Sequence, residues 1–447
     1  MLYVNKLSLN IPDTQKPRVV VIGGGFAGIN LIKHLSERHF QVVLLDRQNY
    51  NGFWPLLYQV ATAGLEPDSI AEPLRKMFNG RIADFHFRLA RVTSVDPTTQ
   101  TITTLVGDLT YDYLVIATGT KSNYFGNDWV KQFAFPLKRI PHALDLRSQL
   151  LQVFEQANMI TDEALRQSLL NVVIAGAGPI GVEMAGALAE MRRHILPMDY
   201  PGIDFSKMNI YLVEGNDRIL PLMSPNASSK SYRYLSNMGI IIKLNTRVES
   251  YDGEEVRFST GDVLPAQTLI WAAGVTGNII KGLSAESIER GRILVNAFSQ
   301  VKGLTNIFAI GDIALMKVKE YPNGHPGVAQ PAIQQGTHLA RNLKRLLRNK
   351  PLKPFRYFNK GDLAVIGRSR AVGDFPRNIG LSGFVPWLIW VLVHVYYSVG
   401  FRNKLVVLSN WLYRFFTYQR GNRLIIRPYL RKEDKVGQEF VSRYQED

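Results

Sequence analysis

RVVVIGGGFAGINLIKHL, running from Arg18 to Leu35, decides the fold. Val19–Ile22 is a short apolar, β-branched run. It meets GxGxxG at Gly23, Gly25 and Gly28, and Ile29–Leu35 then places apolar residues at helical spacing. The first glycine allows the tight turn, the second lets backbone approach a pyrophosphate, and the third lets helix and strand pack closely. The helix N-terminus adds free N–H groups and a partial positive charge. NVVIAGAGPIGVEMAGALAE, from Asn171, repeats the pattern with strand Val172–Ala175, Gly176, Gly178 and Gly181, and helix Val182–Met191. One such turn is a weak signal. Two, each between strand and helix, predict two bound dinucleotides.

An acid closes the next strand in both cases. Asp46 ends VVLLD, where a carboxylate can accept both ribose hydroxyls. Glu214 ends NIYLVE, further downstream because Arg192–Met208 intervenes. It is expected to accept the 2′-hydroxyl of NADH and repel the 2′-phosphate of NADPH. Arg218 lies four residues on and could counter that preference, although a surface or ion-paired arginine is its plainer reading. In GLTNIFAIGDIA, Gly311 and Asp312 end a late strand, where the Asp can meet the ribityl or pyrophosphate side of a flavin. A Gly-Asp pair also suits a simple strand-to-helix cap.

Further strands are expected at Val42–Leu45, Tyr113–Ala117, Ile210–Val213, Thr268–Trp271 and Ile307–Ile310, alternating with helices. The chain is therefore α/β with parallel sheets. Residues 17–135 and 302–362 form the first domain, 136–301 an inserted second one, and 363–447 a C-terminal region.

Fifty-three basic against 37 acidic residues give a net charge of +16, which favours anionic partners. The absence of cysteine excludes disulfides, thiolate metal sites, iron–sulfur clusters and the dithiol chemistry common on this layout. No metal site is expected. MLYVNKLSLNIPDTQKP has no apolar core of a secretory signal, so a cytoplasmic setting is expected.

The tail from Phe375 to Lys432 has no acid and nine basic residues, Arg377, Arg402, Lys404, Arg414, Arg420, Arg423, Arg427, Arg431 and Lys432. FVPWLIWVLVHVYYSVGF, from Phe384, is long enough to span a bilayer, but Pro386, His394, Ser398 and Gly400 argue against it. LVVLSNWLYRFFTY, from Leu405, has a narrow polar stripe. Aromatic residues beside arginines favour helices lying in the interface, with Trp387, Trp390, Arg402, Lys404, Trp411 and Arg414 as contacts; a core or dimer interface and a true span are the alternatives.

Taken together, the chain resembles the type II NADH dehydrogenases, single-subunit NADH:quinone oxidoreductases that do not pump protons. The matching segments include VVVIGGGFAGI, FWPLLYQVATAGLEP from Phe53, YDYLVIATGT from Tyr111, WAAGV from Trp271, AQPAIQQGTHLARNL from Ala329 and GDLAVIGRSRAV from Gly361. They cover residues 18 to 427. The AQPAIQQG segment and the tail are specific, whereas the glycine turns are shared by all two-dinucleotide flavoproteins. LPMDYPGID, from Leu196, has no place in the pattern, and nothing is carried over at Phe384, where some relatives have a cation.

The resemblance implies two Rossmann-like domains in a glutathione-reductase-like layout, plus a membrane-associating helical region. It implies FAD in the first domain, at Gly23, Gly25, Phe26, Ala27, Gly28, Asp46, Arg47, Val92, Thr118, Gly119, Gly311, Asp312, Ala329 and Gln330. NADH falls to the second, at Gly176, Gly178, Pro179, Ile180, Gly181, Glu183, Glu214, Ala273 and Gly274. The membrane quinone is implied near AQPAIQQG. There Gln330, Gln334 and His338 recur on one helix face, and amides can bond quinone or flavin carbonyls. A solvated polar face is the alternative. Glu183 is implied as a proton-delivering carboxylate, with an acid favoured by its helix N-terminus as the plain reading.

The expected protein is a peripheral enzyme on the cytoplasmic face of the inner (plasma) membrane. Its partners are a membrane quinone and an anionic phospholipid surface, with no nucleic acid, and a homodimer is compatible. The rivals are a reductase of a specialised quinone and a redox-sensing flavoprotein with an anionic partner. Sulfide:quinone oxidoreductases are excluded because they need cysteines.

Overall fold

The computed structural model describes residues 7–35, 39–78, 80, 84–398, 400–417 and 421–430. The helices that carry the site are α1 (Phe26–His34), α2 (Leu57–Ala61), α3 (Ile140–Met159), α4 (Pro179–His194), α5 (Ala329–Leu346), α6 (Phe384–Tyr397) and α7 (Phe401–Thr417). The chain divides into two compact units. One comprises residues 1–51, 72–121 and 275–360, the other residues 52–71, 122–274 and 361–447.

The first unit is built on a five-stranded parallel sheet in the order Ile307–Ala309, Tyr113–Ile116, Arg18–Ile22, Gln41–Asp46, Phe85–Leu89. The glycine turn leaves the central strand. Val19, Val20 and Val21 are fully buried because both sheet faces are covered, which is why the strand reads as an unbroken apolar run. A three-stranded antiparallel sheet, Val92–Asp96, Thr101–Thr104 and Gly107–Thr110, lies in the same unit. Helix α5 packs closely on α1: a Cβ on Gly336 would lie 2.3 Å from the Ala27 carbonyl oxygen, so only glycine fits there.

The second unit repeats the plan. Its parallel sheet has the order Phe135–Pro136, Thr268–Trp271, Val172–Ala175, Ile210–Val213, Ile240–Lys243, and the second glycine turn again leaves the central strand. All seven expected strands are present and parallel. Two further strands, Phe85–Leu89 and Ile240–Lys243, lie at sheet edges and are not among those expected: the former includes His86 and Arg88, whereas the latter opens on three isoleucines and was legible.

The unit borders fall elsewhere than the sequence boundaries. Residues 275–301 group with the first unit because Arg292–Val295 pairs with Ala314–Met316 and buries Ile293 in that core. Residues 52–71 group with the second, where α2 packs against α3 and α4. LPMDYPGID folds as the short helix Leu196–Asp199 and a turn, fixed by Tyr200 and Phe205 against Phe154 and by the Tyr200 hydroxyl donating to Glu155 at 2.8 Å.

Residues 361–383 form three antiparallel strands, Asp362–Val365, Ala371–Phe375 and Ile379–Gly383, and α6 follows at Gly383. With 14 residues, α6 is about 21 Å long, short of the roughly 30 Å bilayer core. Among the described residues, no helix is long and apolar enough to cross a membrane. After α7, residues 421–430 run back along α3. Ser148 donates to the Arg427 carbonyl at 2.9 Å, Gln152 and the Tyr429 backbone bond each other at 2.7 and 3.1 Å, and Arg427 pairs with Asp145 at 2.5 Å. Arg420, Arg431, Lys432 and the Arg414 side chain lie outside the described residues.

Candidate functional site

The two glycine turns are geometrically alike. Gly23 and Gly176 have φ of +110° and +100°, and a Cβ on either would strike backbone of the neighbouring strand's end, at Ala117 and Ala272. A Cβ on Gly28 or Gly181 would lie 2.0 or 1.9 Å from the carbonyl of its own first glycine. Gly25 and Gly178 are different, because a Cβ there meets no protein atom within 4 Å. The space in front of both middle glycines is open. They are also the N-caps of α1 and α4, and neither helix start has a side-chain cap. Open space and uncapped helix donors fit a pyrophosphate.

The acids are fixed in matching ways. Asp46 accepts the Gly24 N–H at 2.6 Å on Oδ2 and the Gln48 N–H at 2.8 Å on Oδ1. Burial pushes its pKa up against the pull of those bonds. Glu214 accepts the Ala177 N–H at 2.8 Å on Oε2, and on Oε1 the Asn216 N–H at 3.0 Å and its side-chain amide at 2.6 Å. Carboxylate oxygens retain further acceptor capacity for ribose hydroxyls. Arg218 donates to the Pro221 carbonyl at 2.8 Å, a local loop contact.

Within the first unit, Phe26 and Ala27 open α1, Arg47 follows Asp46, and Val92 begins the antiparallel sheet. Thr118 and Asn278 exchange two bonds of 2.9 Å, and the Asn278 N–H donates to the Gly119 carbonyl at 3.0 Å. Sequence reasoning missed Asn278, which sits in no motif. Gly311, at φ +76°, donates its N–H to Gln335 at 2.7 Å, with Asp312 next to it in a single helical turn. Gln335 is 2% exposed and was also missed; its neighbours Gln330 and Gln334 carried the polar face.

That face turns to the segment Phe355–Lys360. Gln330 Oε1 accepts the Lys360 N–H at 3.1 Å, and the His338 ring meets Phe355 edge-on at 5.4 Å. Gln334 donates to the Phe358 carbonyl at 2.9 Å and accepts the Phe358 N–H at 3.0 Å. The Gln334 amide, expected near a quinone carbonyl, is here bonded in both directions to the Phe358 backbone. Ala329 opens α5, where Val328 provides no side-chain cap.

Within the second unit, Pro179, Ile180 and Gly181 form the first turn of α4, and Ala273 and Gly274 follow Thr268–Trp271, with Gly274 at φ +88°. Glu183 is 6% exposed. It accepts one long bond, from the Val365 N–H at 3.4 Å, and burial pushes its pKa up to about 8. It lines a cavity of about 90 Å³ shared with Gln59 of α2, Arg368, Trp387 and Trp390 of α6, and Trp411 and Phe415 of α7.

The tryptophans expected at the lipid surface face inward. Trp390 is 2% exposed, Trp411 donates its indole N–H to Gln59 at 2.8 Å, and Trp387 lies between the Phe384 and Phe415 rings. Among the described residues the exposed apolar surface instead includes Phe384, Val385, Leu388, Leu392, Val393 and Tyr396 on α6, with Leu405, Leu412 and Tyr413 on α7. Arg402 is exposed and lies 3.8 Å from Asp68, and Lys404 donates to the Tyr396 carbonyl at 2.7 Å. The heptad-free aromatic spacing gave no signal for which rings turn inward.

The pyridine nucleotide-disulphide oxidoreductase family matches residues 17–336, and the NDH2 C-terminal domain matches residues 359–419. The chain is 34% identical to the type II NADH:quinone oxidoreductase NdhA of Mycobacterium tuberculosis, over 91% of this chain and 89% of that protein. It is 35% identical to the type II NADH:quinone oxidoreductase Ndh of the same organism, over 93% and 92%. Its fold is similar to that of NDH2 from Plasmodium falciparum, solved in complex with NADH, with a TM-score of 0.85 at 20% identity, covering 92% of this chain and 100% of that one. The sulfide:quinone oxidoreductase of Aquifex aeolicus follows at a TM-score of 0.69, covering 90% and 95%, but this chain has no cysteine. With two matched dinucleotide turns, this identity over nearly the full length and a matching C-terminal domain, the chain belongs to the type II NADH:quinone oxidoreductases.

Proposed function

We propose that FAD-dependent electron transfer from NADH to quinone, the activity of this family, is divided between the two units. FAD belongs to the first glycine turn with Asp46, Thr118, Gly119 and Asp312, and NADH to the second with Glu214, Ala273 and Gly274. The observation that carries this reading is the repeated geometry: an open middle glycine, an uncapped helix start and an acid bonded to the turn's central N–H, in both units. A flavin held at the first turn would supply the redox chemistry, hydride acceptance and onward electron transfer. The chain's own residues bind and orient the nucleotides and hold protons. Glu183 is the proton-exchanging group, kept protonated near neutral pH by burial. Gln330 and Gln334 act by holding Phe355–Lys360 in place.

The exposed apolar faces of α6 and α7, with a tail rich in arginine and lysine, support attachment to an anionic lipid surface on the cytoplasmic face of the inner membrane. The acceptor is then a quinone in that bilayer. A homodimer would cover the same apolar residues where lipid is absent.

Anaerobic stopped-flow spectroscopy tests the assignment. NADH should bleach the flavin band, and a quinone should restore it. Full bleaching without restoration by any of a panel of benzo- and naphthoquinones would overturn the acceptor, and a colourless purified protein would overturn the flavin.

A further inference from the structure

Phe125, in the second unit, sits in a turn that its side chain does not suit. The Asn127 N–H donates to the Tyr124 carbonyl at 2.9 Å, and the two residues between them, Phe125 and Gly126, have φ of +53° and +82°. Positive φ at both centres is the pattern of a type I′ turn, where Asn, Asp or Gly takes the first centre and a bulky side chain strains the backbone. The ring gains little burial in return, with the residue 69% exposed. The turn is nevertheless well anchored. Asn123 Oδ1 accepts the Phe125 N–H at 3.0 Å, the Asn123 N–H donates to the Gly274 carbonyl at 3.2 Å, and the Trp271 indole N–H donates to the Asn123 carbonyl at 2.8 Å. Tyr124 stacks on Trp271 with centroids 5.8 Å apart. The tip of the Phe125 ring rests on Gly274, where a Cβ would lie 2.7 Å from Cζ.

Gly274 lies at one side of the groove proposed above for NADH. Strands Thr268–Trp271 and Ile210–Val213 flank Val172–Ala175 on opposite sides. Glu214 ends one flank, and Ala272–Gly274 continues the other. The latter runs so close to the glycine turn that a Cβ on Gly176 would lie 2.8 Å from the Ala272 carbonyl and the Ala273 Cα. A dinucleotide laid across the strand ends, with its adenosine ribose at Glu214 and its pyrophosphate at Gly178, carries its nicotinamide half to the Ala272–Gly274 side. We propose that Phe125 is a binding residue for NADH: its exposed ring walls the nicotinamide half of the dinucleotide at Gly274, and the strained turn is what holds the ring there. Contacts between an aromatic ring and a flat heterocycle add attraction beyond the area they bury. A ring already fixed by its backbone gives up little freedom when the nucleotide arrives. The glycine turn and Glu214 serve the part of NADH shared with other adenine dinucleotides, and Phe125 serves the part that nicotinamide adds. The inference rests on NADH occupying the second unit.

Calorimetric titration of the FAD-loaded enzyme tests this with two probes, ADP-ribose and a ring-saturated NADH analogue that cannot give up a hydride. Phe125→Gly removes the ring and suits the positive φ, so the melting temperature should hold or rise. The analogue should bind this variant about fivefold more weakly, and ADP-ribose within about twofold of the unmodified enzyme. Phe125→Tyr keeps the ring face and should restore the analogue's affinity. Phe125→Asn, which also tolerates positive φ, should repeat the Phe125→Gly result and replaces it if that variant does not fold. An equal loss of both probes, or of neither, overturns the proposal. Gly178→Val separates it from the reading beneath it. Weakened ADP-ribose in Gly178→Val, with an unmoved analogue in Phe125→Gly, removes the role of Phe125 alone. ADP-ribose binding untouched by Gly178→Val removes NADH from the second unit, and the role of Phe125 with it.

Discussion

Glu214 accepts the backbone N–H of Ala177 at 2.8 Å, so the acid that ends one strand is fastened to the centre of the glycine turn that ends its neighbour. Asp46 and Gly24 repeat the bond at 2.6 Å in the other unit. The bond places a carboxylate beside the open space at the middle glycine, and that position should determine which nicotinamide nucleotide is used. Glu214→Gln removes the charge and keeps the shape. The preference for NADH over NADPH should narrow by about tenfold, mostly through KM, which corresponds to ~1.4 kcal/mol. Steady-state kinetics with both nucleotides checks this, and equal kcat/KM in the unmodified enzyme would refute it.

Gly25 and Gly178 allow a matched pair of substitutions, because a Cβ at either meets no protein atom within 4 Å. Gly25→Val should fold and purify without colour. Gly178→Val should keep its flavin and raise KM for NADH at least tenfold, by the loss of on the order of 1.4 kcal/mol of binding. Absorbance at purification and NADH kinetics read the two outcomes, and full flavin occupancy in Gly25→Val would remove FAD from the first unit.

The two-way bond between Gln334 and Phe358 predicts a structural cost. Gln334→Ala should lower stability by about 1–2 kcal/mol and speed hydrogen exchange at the Phe358 amide. Normal exchange and melting, combined with slow flavin reoxidation by quinone, would instead return Gln334 to direct quinone contact.

Glu183 makes stability depend on pH. Burial pushes its folded pKa up to about 8, above the usual carboxyl range, so the native state holds a proton that the unfolded chain releases. The contribution is fully present below the unfolded pKa and is lost as pH rises toward 8, with a slope of about 1.4 kcal/mol per pH unit over that window. Urea unfolding between pH 5 and 9 should show the decline, and Glu183→Gln should flatten it. Parallel curves for the two proteins would mean that the carboxyl is ionised in the folded state.

Membrane attachment should follow the exposed residues and not the tryptophans. Leu392→Gln with Leu412→Gln should weaken binding to anionic vesicles by about 100-fold, at roughly 1.5 kcal/mol for each leucine. Trp411→Phe, which breaks the bond to Gln59, should leave vesicle binding within twofold and lower the melting temperature. Vesicle co-sedimentation separates the cases, and release by Trp411→Phe alone would place that ring in lipid.

Local chemistry determined much of this protein directly from its sequence. Short β-branched runs, glycines whose missing Cβ the turn requires, and an acid closing the next strand are each readable within about 30 residues. They identified the central strands of both parallel sheets and both glycine turns. Tertiary structure decided what neighbouring residues on one helix do. Gln334 and Gln335 are adjacent and identical, yet one clamps Phe358 and the other accepts the Gly311 N–H, because a step of about 100° turns them to different partners. It likewise turned Trp390 and Trp411 inward and left leucines and tyrosines of the same helices exposed. Residue type alone does not say which side of an aromatic, apolar helix meets the protein; long-range packing does, of α6 against the strands of residues 362–383 and of α7 against residues 67–70. Asn278, tied to Thr118 across 160 positions, was illegible for the same reason: its partner is set by the fold and not by its neighbours.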